Sequence, residues 1–139
     1  MGKARILAPV TERCVEESVI RQATAFAHAF KAKVTILYVV ELPLSLPIDA
    51  EVPELVEEGE RFLARMKKLG GHRVSLGTDL VQARHAGPAI VEMAQTERYD
   101  AVLMVVDPHG IHRVRSSEVF GDTVKYVFTH FPACWVVGS

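Results

Sequence analysis

A chain of 139 residues holds one compact domain with its own core, and 49% hydrophobic against 24% charged residues excludes a disordered or low-complexity polymer. The formal net charge of -1 gives nucleic acid no bulk electrostatic reason to bind. The two cysteines, Cys14 and Cys134, form no CxxC or finger spacing, which excludes a disulfide framework or zinc finger and fits a reducing cytoplasm. Met1-Gly2-Lys3 runs directly into a strand-like segment, and no apolar stretch reaches transmembrane length. The chain is therefore expected to be soluble and cytoplasmic, with no direct membrane insertion.

Arg5 to Val10 is an apolar run of strand length, closed by Pro9 and the polar Thr11-Glu12-Arg13. Val19, Ala23, Phe26, Ala27 and Phe30 recur at helical spacing and predict an amphipathic helix over residues 16–32. Val34 to Val40, β-branched and aromatic, is the second strand. A strand, a helix and a strand joined this tightly make a right-handed crossover, so the two strands are parallel neighbours. Leu42 to Pro53 contains Pro43, Pro47 and Pro53 and reads as an extended surface connection. Leu42, Leu44, Leu46 and Ile48 alternate along it, which predicts that one side rests on the rim of the sheet or on another chain.

Glu54 to Leu69 predicts the second helix, with Leu55, Phe62, Leu63, Met66 and Leu69 on the buried face and an acidic start and basic end that suit the helix dipole. Gly70-Gly71 ends it. Val74 to Val81 alternates weakly and contains Gly77, Thr78 and Asp79, the composition of an edge strand. Ala86 to Glu97 is the third helix, with Pro88 in its first turn and Ile90, Met93 and Ala94 facing inward. The uninterrupted run Ala101 to Val106 is a buried central strand, stopped by Asp107-Pro108-His109-Gly110. A last helix is expected to begin just after Gly121, placing Phe120, Val124, Val127, Phe128 and Phe131 on one face. Pro132 ends it before a final strand, Ala133 to Val137. Strict alternation of five strands and four helices means an α/β fold: one domain, residues 1–139, with a parallel sheet covered on both faces.

The segment from Gly121 to Val137, with its glycine, amphipathic helix, proline and closing strand, resembles the carboxy-terminal signature of universal stress protein domains. Ile6 to Val10 resembles that family's first strand, Val34 to Val40 its second, and Ala83 to Val91 the start of its third helix. The proline-bearing stretch Glu41 to Pro47 and the segment Gln82 to Val91 look most like the versions of this domain appended to amino-acid and cation permeases. The resemblance implies a doubly wound, three-layer α/β/α fold with strand order 3-2-1-4-5. Such a sheet binds ligands at the carboxyl ends of the strands flanking its switch point, here strands one and four.

In the nucleotide-binding branch of the family, a loop of glycines followed by Gly-Ser/Thr holds phosphates. Here Asp107 stands at the first glycine, Gly110 matches the second, Gly121 the third, and Asp122, followed by Thr123, takes the Ser/Thr place. Thr11 replaces the aspartate expected after strand one, and Val39-Val40 match the adenine-side strand end. The implied nucleotide site is thus Pro9, Val10, Thr11, Val39, Val40, Asp107, Gly110, Arg113, Arg115, Gly121, Asp122 and Thr123, with ATP and magnesium as the ligand. A carboxylate at Asp122 repels phosphate, so magnesium or Arg113 and Arg115 must offset it; alternatively Asp122 is only the amino-terminal cap of its helix. Asp107, His109 and His112 lack a fourth ligand, and no metal site is assigned. Cys14, beside Arg13, reads as an inert thiol near the cleft. No dinucleotide fingerprint, phosphate-loop lysine or nucleophile elbow occurs, so no catalytic residue is named.

Ala133, Cys134, Trp135, Val136 and Val137 form the other edge of the sheet, and an open apolar edge favours pairing with a second copy, with Trp135 as anchor. The expectation is a cytoplasmic homodimeric regulatory module tuned by an adenine nucleotide. An interaction module that acts on a transporter or other protein without nucleotide is the alternative, and a slow ATP hydrolase the third reading.

Overall fold

The computed structural model describes residues 3–10, 16–70, 76–106 and 117–138. Within them β1 (Arg5–Val10), α1 (Glu16–Phe30), β2 (Lys33–Glu41), α2 (Pro53–Gly70), β3 (Leu76–Ala83), α3 (Ala86–Thr96), β4 (Ala101–Val106), α4 (Ser117–His130) and β5 (Cys134–Gly138) follow one another. The strands form one sheet in the order β3-β2-β1-β4-β5, and every described pairing is parallel. The β-branched and leucine-rich composition of β1, β2 and β4 matches their central places. The glycine, threonine and aspartate of β3 match its place at an edge, where most of its residues are only half-buried.

Side chains alternate across each strand and so feed two separate cores. On one face Ile6, Ala8, Val34, Ile36 and Leu103 pack under Val19 and Ala23 of α1 and Phe62, Leu63 and Met66 of α2. On the other, Leu7, Leu37, Val102 and Met104 pack under Ile90 and Ala94 of α3 and Val127 and Phe131 of α4. The helices come closest where a side chain is missing. A Cβ on Gly59 would stand 2.7 Å from both Leu80 and Tyr38, and one on Gly87 3.1 Å from Tyr126.

Two helices end by the same device. Lys31 and Arg98 take φ of 51° and 56°, and the next residues, Ala32 and Tyr99, return their amides to Ala27 and Ala94 five positions earlier. This is the Schellman arrangement, and Ala32 and Tyr99 are both buried, supplying its apolar contact. Glycine is the usual signal for it; lysine and arginine carry none. Below the sheet, Arg5 joins β1 to the second of these turns. Its amide donates to Asp100 Oδ2 at 2.7 Å, its guanidinium donates to the Glu97 carbonyl, and the same group lies 4.4 Å from the centre of the Tyr99 ring.

Several expectations change. Leu55 and Leu69 are exposed, because α2 is drawn to the sheet at Gly59 and buries only the central stretch to Met66. Phe128 is 62% exposed; the inward row of α4 is Val124, Val127 and Phe131, and Phe128 lies about 100° further round. The Leu42–Pro53 stretch is not uniformly extended. Leu46 donates to the Pro43 carbonyl and Ala50 to that of Pro47, two successive turns that break the alternation. Leu42 is buried and Leu46 half-buried, while Leu44 and Ile48 face solvent.

Candidate functional site

The two ladders that β1 makes differ in length. β1 is in register with β2 along its whole length, from Arg5↔Lys33 to Val10↔Tyr38, but with β4 only at Ile6↔Ala101 and Leu7↔Val102. β4 stays with β5 as far as Val106↔Gly138. Beyond Leu7 the backbone ladder between β1 and β4 therefore ends, while each strand keeps its outer partner. Pro9, which lies within β1 rather than closing it, has no N–H with which to continue a ladder. α1 then joins one helical layer and α4 the other, so the chain leaves β1 and β4 in opposite directions, as at a switch point.

Pro9 and Val10 are buried at the end of β1; Val40 is buried and Val39 half-buried at the end of β2. The two strand ends stand side by side through Val10↔Tyr38, so these four residues are brought to one place. Thr11, Asp107, Gly110, Arg113 and Arg115 lie outside the described residues, as do Cys14, His109 and His112. Thr123 is half-buried in α4. α4 itself starts at Ser117, more than a turn before the expected place. Gly121 and Asp122 consequently occupy the second turn, where backbone amides are used within the helix, and Asp122 is not its amino-terminal cap. Among the described residues no group of three or more His, Cys, Asp or Glu is arranged to hold a metal ion.

The β5 edge carries an aromatic stack. Trp135 lies 5.2 Å from Phe26 and 5.1 Å from Phe30, ring centre to ring centre. Phe30 and Val136 remain 52% and 44% exposed, while Ala133 and Val137 are half-buried. Cys134 is buried, and burial pushes its thiol pKa up, away from the reactive thiolate.

A second concavity, of about 450 Å³, was not foreseen from the sequence. It opens between α3 and the carboxyl end of β3, lined by Val81, Ala83, Pro88, Ala89 and Met93, with Ile48 at its mouth. The outward row Pro88, Glu92, Thr96 on α3 was its one legible trace, and a mixed polar row of that kind reads as a solvated face.

Universal stress protein family sequences match residues 4–137 of the chain. No curated protein matches it by sequence. A universal stress protein from Archaeoglobus fulgidus in complex with dAMP superposes with a TM-score of 0.64 at 15% identity, covering 99% of this chain and 97% of that one. A universal stress protein in complex with cAMP gives 0.59 at 18% identity, with 96% and 95% covered. A family member from Burkholderia pseudomallei gives 0.62 at 19% identity, with 98% and 95% covered.

Proposed function

The chain belongs to the universal stress protein family, and from that premise we propose that it is a regulatory module binding an adenine nucleotide in the crevice between β1 and β4. The observation that carries this reading is the early end of the β1–β4 ladder at Leu7↔Val102, which leaves the carboxyl ends of two central strands unpaired with each other. The dAMP and cAMP held by two proteins of the same fold support the ligand class. In this reading Pro9, Val10 and Thr11 meet the nucleoside from one side and Val39 and Val40 from the other. Asp107, Gly110, Gly121, Asp122 and Thr123 border the phosphate end, with Arg113 and Arg115 supplying positive charge.

Two carboxylates beside a phosphate set the preference among nucleotides. A pair of like charges about 4 Å apart costs ~4 kcal/mol at an effective dielectric near 20. A monophosphate meets less of this repulsion than ATP, and ATP needs magnesium to bridge carboxylate and phosphate oxygens. The module is read as cytoplasmic and dimeric through β5, acting on a transporter or another protein, either as a free-standing chain or appended to a permease.

Calorimetric titration tests this. AMP is expected to bind without metal and raise the melting temperature, as binding linkage requires; ATP is expected to bind only with magnesium, and Asp122→Ser to remove that requirement. If none of these ligands binds at millimolar concentration, the alternative holds: an interaction module without nucleotide, as Asp107 and Asp122 in place of the family's glycine and hydroxyl residue favour.

A further inference from the structure

We propose that the groove between α3 and β3 docks a basic amphipathic helix of a protein partner. Its lining is apolar where it is deepest. Val81 and Ala83 of β3 and Ala89 and Met93 of α3 are each half-buried, while Pro88 and Ile48 stand exposed at the rim. α3 spends its inner side, Ile90, Val91 and Ala94, on the sheet and α4. Its next rows round, Pro88–Glu92–Thr96 and Ala89–Met93–Glu97, recur every fourth residue and form the groove wall. Eleven residues of helix make this wall about 16 Å long, some three turns of a docked helix. Methionine at the centre suits such a contact, since its unbranched thioether side chain adapts to the shape it meets.

Charge selects the occupant. α3 runs back along the sheet from the top of β3, so Glu92 and Glu97 lie towards the end where β3 carries Asp79, on the same strand face as Val81. Asp79, Glu92 and Glu97 are all exposed, and the carboxylates of Glu92 and Glu97 make no ion pair among the described residues. At the other end Arg84 is engaged by the Pro43 carbonyl and His85 is exposed. The groove is thus apolar in the middle and acidic at one end, complementary to a segment with an apolar stripe and lysines or arginines near one terminus. A helix fits better than an added strand. Asp79 Oδ1 already accepts the Leu80 amide at 2.9 Å, and Gln82 is tied by its side chain to the Ala50 carbonyl at 3.1 Å, so the neighbouring strand edge is occupied.

The test uses the whole chain and a fluorescein-labelled synthetic helix of about 14 residues, with leucines at i, i+3, i+4 and i+7 and three lysines at its carboxyl end; a copy with glutamates for lysines is the control. Anisotropy is expected to show saturable binding of the lysine peptide alone. Met93→Lys should weaken it roughly tenfold or more, and Glu92→Lys with Glu97→Lys should reverse the preference between the two peptides. These positions are exposed or half-exposed, so the melting temperature should hold. No saturation at millimolar protein, equal binding of both peptides, or indifference to all three substitutions would overturn the proposal. Self-association of the chain that Met93→Lys abolishes, without peptide binding, would assign the groove to a second copy instead. Nucleotide titration is blind to this surface, so the groove stands or falls apart from the crevice.

Discussion

The two edges of the sheet are treated in opposite ways. At β3 the outer strand is guarded: Asp79 takes the Leu80 amide, Gln82 holds Ala50, and Arg84 holds Pro43, so the turns of the 42–52 segment are strapped against the strand end. At β5 no such polar device occurs among the described residues, and the strand presents Val136 on one face and, on the other, Trp135 stacked with Phe26 and Phe30. An unguarded apolar edge invites another strand, and a guarded one refuses it. The difference teaches that the fold distinguishes its contacts by edge. If the proposals above hold, strand pairing belongs to β5 and the β3 side offers only its groove.

The sharpest way to break this comparison is at β5. Val136→Lys places two like charges in any two-fold pairing of that edge, and a dimer formed through β5, as proposed, should weaken by about 3 kcal/mol, roughly a hundredfold in dissociation constant. Sedimentation equilibrium reads it directly; an unchanged mass would remove β5 as the pairing edge. The next effect lies beneath the guarded edge. Gly59→Ala puts a methyl group 2.7 Å from Tyr38 and Leu80, and overpacking there should cost about 1–2 kcal/mol even after the helix gains ~1 kcal/mol from alanine. A lower melting temperature with unchanged oligomeric state is the expected result. The smallest effect is at the strap. Gln82→Ala removes one exposed hydrogen bond and should cost about 0.5 kcal/mol, yet hasten hydrogen exchange in residues 43–52 before any other part of the chain.

The alternation of strands and helices and the central places of β1, β2 and β4 were legible because continuous apolar runs and 3.6-residue periodicity carry them directly. The order 3-2-1-4-5 followed from family resemblance and the structure has it. What escaped was set by tertiary geometry. Leu55 and Leu69 obey the helical pattern yet lie in the open, since the pattern cannot say that Gly59 is where α2 touches the sheet. Gly121 signalled a helix start just after it, whereas α4 begins at Ser117. Pro9, Val10, Val39 and Val40 could be named because the family resemblance points to strand ends, and the structure sets these four side by side. The groove could not, because Met93 and Val81 are distant in sequence and meet only through the crossover.

The contact of Arg5 with Asp100, Tyr99 and Glu97 has a consequence for how the chain assembles. β1, α1 and β2 are contiguous and can form early, whereas the bond between Arg5 and Asp100 spans a separation of 95 positions and carries the largest loop-closure entropy of this clamp. The second half of the chain is thus fastened to the amino-terminal strand at the bottom of the sheet. Above Leu7 the ladder between β1 and β4 stops, so the backbone hydrogen bonds that tie these two strands directly lie at the same end of the sheet as the Arg5 contacts.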